Sequence, residues 1–412
     1  MHPAQHVKET MLAFTGLPLS IVQKRNDVFM DCVPQLSFSM RSATGSDGRS
    51  AGLACVGLSV SRDLLLCVPA PVERSIDGTV LASCPTMQVT NLLMQSPLPY
   101  LGVEMRFGVV LHLSSTYATW DDLLTIANEA ERLGYDSIWV SDHLLSPRGR
   151  PHALEAWTVL SAFASSVPRV RLGTYVLCNQ FRHPSMLAKM ASTLDNISGG
   201  RLELGIGAGY LKNEHVAFGF DWDRHSVRIE RLREALEIVR RLWTEDHASY
   251  VGAHFRIEDA TLEPKPLQKP HPPIWVGGNS TKIMRIVAEL GNGWIPVLPT
   301  PRQLAAGASE IRQGMKEVGR EPDRLQVAYG GSGCLLIARD EDTVKRMGEP
   351  LARSLGKPLE ESACLIGTPG QCIQRIEQYQ KVGAQIIVAG FYDFPSLGGM
   401  RLFAKTVIPS FS

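Results

Sequence analysis

The sequence predicts an α/β protein. Its main body, residues 105–412, reads as a closed (β/α)8 TIM barrel preceded by a poorly patterned N-terminal extension. Three observations carry this. Eight apolar, strand-like runs each lead into a segment with helical periodicity. Strands that alternate with helices imply parallel pairing through right-handed crossovers. Eight such units in 308 residues fit a closed barrel better than an open doubly wound sheet, which is the alternative.

The elements follow in order. Residues 105–111 (MRFGVVL) form a buried-strand run. Leu123, Ile126, Ala127, Ala130 and Leu133 then make a helical stripe that stops at Gly134. Residues 135–140 are the second strand, 154–165 the second helix and 170–177 the third strand. Pro184 opens the next helix, where a missing N–H costs nothing. Gly199-Gly200 ends that unit before strand 201–206, and a helix over about 223–243 buries Leu232, Ala235, Leu236, Val239, Leu242 and Trp243. Residues 244–272 break the rhythm: Pro264, Pro266 and a short run at Phe255-Arg256-Ile257 predict an inserted hairpin and loop. Strand 273–276, helix 280–290, strand 293–295 and helix 301–318 resume it. Strand 327–337 carries Gly330, Gly331 and Gly333, which would distort it. Helices 340–355 and 369–382, strand 385–389 and a last helix near 397–408 complete the pattern.

Composition separates the two parts. Of the first 104 residues 15 are charged, against 68 of the remaining 308, and the first part lacks a sustained helical or strand period. Residues 1–104 are therefore read as a disordered or non-native extension, with Met105 as the natural initiator. The net charge of +1 argues against a nucleic-acid or anionic-membrane partner. No apolar stretch reaches the ~20 residues of a membrane helix. Met11 to Val22 is mildly apolar, but Pro18 interrupts it and its positive flank is thin, so it makes a poor signal peptide. The eight cysteines show no C-x-x-C pair and no zinc spacing, which reads as reduced thiols in a cytoplasmic protein without a metal site.

In such a barrel the chemistry lies just past the C-terminal strand ends. Strand two ends in Asp142-His143, of which alternation turns only one toward the mouth. His143 could serve there as a hydrogen-bond donor or a proton carrier, or merely cap a loop. Strand four ends in Gly207-Ala208-Gly209-Tyr210, too short for a dinucleotide fingerprint but suited to close backbone approach by a flat ring. Gly277-Gly278-Asn279-Ser280 opens a helix and is either a phosphate-binding turn or a plain tight turn. Cys178 is the one cysteine near the mouth, without an evident partner. H-E-x-x-H, G-x-S-x-G and P-loop patterns are absent, which speaks against metal hydrolysis, serine hydrolysis and NTP chemistry.

Several blocks in order resemble the luciferase-like monooxygenase superfamily: residues 134–143 (GYDSIWVSDH), 171–174 with Arg182-His183-Pro184, 198–209 (SGGRLELGIGAG), 273–280 (PIWVGGNS) and 291–294. The resemblance spans 105 to about 395. It implies a (β/α)8 barrel that binds coenzyme F420 or FMN, and the Ser-Asp-His end of strand two is more similar to the F420-dependent branch. By resemblance, Asp142 and His143 lie against the deazaflavin ring, and His143 is catalytic. Tyr175-Val176 carries a non-prolyl cis peptide and bulge behind the ring. Ala208, Gly209 and Asn213 line the cofactor, and Gly277 and Gly278 take its phosphate.

The implied activity is hydride transfer between the deazaflavin and a small organic substrate, by a homodimer. The alternatives are an FMN-dependent monooxygenase, using O2 and a reductase partner, and a non-catalytic cofactor-binding barrel. One departure stands out. The family's sugar-phosphate dehydrogenases carry a glutamate acid where this chain has Tyr210, and a basic phosphate-holding position beyond strand six is missing. That puts glucose-6-phosphate oxidation in question. Specificity is expected in loops 144–157 and 244–272, which carry no readable motif.

Overall fold

The computed structural model describes residues 104–113, 118–145, 153–356 and 358–411, and in the N-terminal part only strand segments between 37 and 81. The chain divides into two units, Met1–Pro97 and Leu98–Ser412. In the first, Ser37–Arg41, Ala54–Ser59 and Leu65–Ala70 pair as an antiparallel sheet, and Glu73–Arg74 pairs with Val80–Leu81. The expectation of disorder over 1–104 otherwise falls outside the described residues.

The second unit holds eight barrel strands. They are β1 (Arg106–Leu111), β2 (Ser137–Val140), β3 (Arg171–Thr174), β4 (Leu202–Gly207), β5 (Ile274–Gly277), β6 (Gly293–Ile295), β7 (Gln326–Ile337) and β8 (Ile386–Phe391). Each pairs in parallel with the next, and β8 pairs with β1, so the sheet closes. Closure removes the open doubly wound alternative, because no edge strand is left. The helices are α1 (Trp120–Arg132), α2 (Ala156–Ser166), α3 (Pro184–Ile197), α4 (Lys212–Ala217), α5 (His225–Thr244), α6 (Thr281–Leu290), α7 (Pro301–Glu317), α8 (Glu341–Leu355), α9 (Pro369–Lys381) and α10 (Gly398–Thr406). Capping boxes at Thr119/Asp122, Thr300/Gln303 and Thr368/Gln371 start α1, α7 and α9, satisfying N–H groups that lack helical partners. Among the described residues no helix is long and apolar enough to cross a membrane.

Two tryptophans fill the lumen. Trp139 of β2 and Trp275 of β5 meet edge to face, with ring centroids 5.9 Å apart, among Val110, Ile295, Ala328, Ile386 and Val388. The facing positions are glycine because the rings occupy their side-chain space: a Cβ on Gly173 would lie inside the Trp139 ring contact, and one on Gly293 inside that of Trp275. Below them the buried Glu203 accepts from Trp275 Nε1 at 2.6 Å and pairs with Arg171 and Arg106. Gly173→Ala is expected to cost ~1–3 kcal/mol by overpacking. A urea midpoint equal to the parent's would show that the ring has room to move.

Three features differ from the sequence reading. The third strand stops at Thr174 and resumes only at Leu177–Cys178. At the break, Thr174 Oγ1 donates to Gly205 O at 2.6 Å and accepts from Gly205 N–H at 2.9 Å, so a side chain replaces the ladder. The Tyr175–Val176 peptide that follows is cis, as the family resemblance implies. Next, β7 overshoots the barrel past the register shift at Gly331/Leu335, and its end pairs with an additional strand, Leu365–Gly367. Three residues are too few to show a period. Finally, α4 was not anticipated; it has six residues. The 244–272 region contains the antiparallel pair Ala248–Val251 and Arg256–Ala260. It is anchored where Glu234 of α5 accepts from the N–H groups of Ala253, His254 and Phe255.

Candidate active site

The C-terminal strand ends gather most of the residues singled out in the sequence. Val176 forms the floor. Its side chain packs on the lumen cluster and presses against both neighbouring strand ends: a Cβ on Gly277 would meet Val176 at 2.8 Å, and one on Gly207 at 3.0 Å. Tyr175 packs on the same cluster, its hydroxyl beside Gly330 of β7. The bulge thus raises two side chains above the tryptophans and spreads them across β4, β5 and β7.

The Asp142-His143 pair divides as alternation requires. Asp142 turns inward and is 4 % exposed. Its carboxylate accepts from Arg182 Nη1 at 2.8 Å and Nη2 at 3.0 Å, and from Cys178 N–H at 2.9 Å. Both oxygens are engaged, so Asp142 anchors the resumed third strand to β2. Arg182 also pairs with Glu155, which caps α2 through the N–H groups of Trp157 and Thr158. Burial raises the Glu155 carboxyl, but the Thr158 bonds, the Trp157 N–H and Arg182 outweigh it and hold the group below its usual range.

His143 turns to the mouth. Its Nδ1 lies 3.3 Å from Glu214 Oε1, and its Nε2 lies 3.3 Å from the Tyr210 hydroxyl. The Tyr210 and His143 rings meet edge to face at 5.6 Å. Glu214, on α4, is buried and also accepts from Leu144 N–H at 3.1 Å. Tyr210 follows β4 and is 66 % exposed. Desolvation, and after it the charge of Glu214, push its phenol upward even so. The result is a hydrogen-bonded chain from a buried carboxylate through imidazole to an exposed phenol. Glu214 was missed in the sequence because it lies 71 residues from His143 on a helix too short to show a period.

The glycine segment shapes the adjoining wall. Gly209 has φ +71° and faces Cys178 Sγ, Gln180 and His215 so closely that a Cβ would sit 2.8 Å from the sulfur. Ala208 is buried, and its carbonyl accepts from Gln180 Nε2 at 3.1 Å and Arg228 Nε at 3.2 Å. Asn213 is exposed on α4. Cys178 does have a partner, His215 Nε2 at 3.4 Å, but the thiol is buried and burial pushes it up to about 12. That is an unreactive thiol rather than a nucleophile.

Gly278, with φ +132°, donates its N–H to Ile295 O at 3.2 Å and accepts from Trp294 Nε1 at 2.8 Å. It contributes a turn, and its own N–H is already engaged. Asn279 bonds both the N–H and the carbonyl of Val297, fixing the loop after β5 to the loop after β6. Ser280 caps α6, whose N-terminus opens beside this turn.

The chain has relatives among known proteins. A family model described as luciferase-like monooxygenase matches residues 105–358. The chain belongs to the luciferase-like monooxygenase family. The F420-dependent glucose-6-phosphate dehydrogenase of Microbacterium testaceum (strain StLB037) is 33 % identical over 336 residues, 74 % of this chain and 97 % of that relative. The FMNH(2)-dependent dimethylsulfone monooxygenase of Pseudomonas putida is 25 % identical over 335 residues, 73 % of this chain and 91 % of that one. Among solved structures, an F420-dependent secondary alcohol dehydrogenase in complex with an F420-acetone adduct aligns with a TM-score of 0.65. It is 23 % identical and covers 75 % of this chain and 99 % of its own, a likeness of fold. Like these relatives, this family member is an oxidoreductase.

Proposed function

We propose that this protein is a coenzyme F420-dependent oxidoreductase that moves a hydride between the deazaflavin and a small organic substrate. The observation that carries the proposal is the Tyr210–His143–Glu214 chain, set at the barrel mouth with the raised Tyr175-Val176 bulge. The relative named F420-dependent at 33 % identity supports the cofactor assignment.

The residues present suit such a group. A flat ring system requires an apolar backing, small residues at its edge and an anion site at its far end. Tyr175 and Val176 would supply the backing, and Ala208, Gly209 and Asn213 the edge. Gly277 and the N-terminus of α6 would face the phosphate, the helix dipole favouring the anion, and Gly278, whose N–H is held by Ile295 O, would shape the turn beside it. Asp142 would act from behind by holding Cys178, and His143 would face the reacting centre. Once bound, the deazaflavin supplies two-electron hydride chemistry. His143 exchanges a proton with Tyr210 at Nε2, while Glu214 compensates its charge. The same proposal takes the protein as a cytoplasmic homodimer acting on a small molecule.

The relative named FMNH(2)-dependent supports a second reading, an FMN-dependent monooxygenase supplied by a reductase. Oxygen consumption during turnover separates the two. We expect substrate-dependent F420 reduction or oxidation that proceeds equally under anaerobic conditions. Oxygen uptake in step with product would transfer the protein to the second reading.

A further inference from the structure

Donor and acceptor chemistry gives the Tyr210–His143–Glu214 chain a direction. Backbone N–H groups can only donate. Leu144 N–H lies 3.1 Å from Glu214 Oε2 and Leu145 N–H 3.5 Å from it, so that oxygen accepts. His143 Nδ1 lies 3.3 Å from the other oxygen, Oε1, and 3.4 Å from Oε2 itself. A carboxylate has no hydrogen to give, so Nδ1 must be the donor. In a neutral imidazole Nε2 is then bare and accepts. Its neighbour at 3.3 Å, the Tyr210 hydroxyl, therefore donates.

We propose that Glu214 is a positioning residue that locks His143 in its Nδ1–H tautomer, so that Nε2 draws the Tyr210 proton inward and leaves the exposed Tyr210 oxygen as the proton acceptor of the site. The catalytic half of this inference rests on the hydride-transfer reading; the tautomer does not. A proton passing along the chain binds the Tyr210 oxygen, the Tyr210 proton moves to His143 Nε2, and the imidazolium keeps its Nδ1–H on Glu214. The buried carboxylate balances the new charge. A glutamine would replace one of the two accepting oxygens by an NH2 donor.

The test is the imidazole 15N spectrum of the full chain, labelled in histidine and recorded without cofactor at a pH where imidazole is neutral. His143 signals are assigned from their loss in His143→Gln. The expected state has the proton on Nδ1 and a bare Nε2; a proton on Nε2 overturns the proposal. Glu214→Gln provides the sharper comparison. With its oxygen on Leu144 N–H, its NH2 takes the place of Oε1, the nearer partner of Nδ1, and favours the proton on Nε2. We expect that inversion, with kcat lowered ~10²-fold or more and cofactor affinity little changed. An unchanged tautomer in the folded variant overturns the proposal, as does an inverted tautomer with unchanged kcat. Tyr210→Phe should keep the parent tautomer, because Glu214 sets it; a shift there also contradicts the proposal. Should Glu214→Gln fail to fold, the parent and Tyr210→Phe spectra still decide. These spectra need no cofactor, so they report the tautomer whether or not the F420 assignment holds.

Discussion

A His143→Ala protein is expected to fold like its parent, to bind cofactor with little change, and to lose ~10²- to 10⁴-fold in kcat, the usual contribution of a positioned proton-transfer group. The asymmetry follows from where the imidazole sits. Its partners are the Tyr210 hydroxyl and the Glu214 carboxylate, and it packs no part of the tryptophan-filled lumen. Glu214 keeps its bond to Leu144 N–H when the ring is removed, so the loop after β2 retains its anchor. Circular dichroism and a thermal melt report the fold, a titration the binding, and steady-state turnover the loss. Unchanged turnover would reject the role given to His143.

Arg182→Met is expected to destabilise the barrel by ~3–5 kcal/mol, measured by urea unfolding. Asp142 is 4 % exposed and holds three donors, two of them from this guanidinium. Methionine keeps much of the volume but leaves a buried carboxylate with the Cys178 N–H alone. Arg182→Lys should recover little, because a single ammonium cannot reproduce the bidentate fork. Glu155 gives the same cluster a pH signature. Its lowered carboxyl contributes stability that is full above the usual glutamate range and fades as pH falls through the lowered value. Arg182→Met should shrink that acid-side dependence. A loss below ~1 kcal/mol would mean that Asp142 finds other donors, against the geometry described here.

The barrel was legible because its signal is long-ranged and repeated. Eight strand–helix alternations survive errors of several residues at each boundary. The mouth was legible for the same reason, since strand ends locate it. Alternation also anticipated that one of Asp142 and His143 would face it, and the structure selects His143. The partners were not legible. Glu214 reaches His143 from α4, and Arg182 reaches Asp142 across 40 residues. Such contacts depend on how the loops close, which no local period encodes. The break in the third strand was legible only through the family resemblance, which places it at Tyr175-Val176; locally it arises from one threonine side chain substituting for the ladder against Gly205, which no period shows. At Gly278 the glycine pair suggested free N–H groups, yet the neighbouring strand end takes one of them.

The proposed deazaflavin site must prefer F420 to FMN. Its most direct test is a fluorescence titration of the full chain with purified coenzyme F420 and, separately, with FMN. Saturable F420 binding clearly tighter than FMN binding is expected, weakened when Gly209 is replaced by alanine, whose Cβ has no room beside Cys178. Tighter binding of FMN than of F420 would contradict it and would move the protein to the oxygen-activating side of its family.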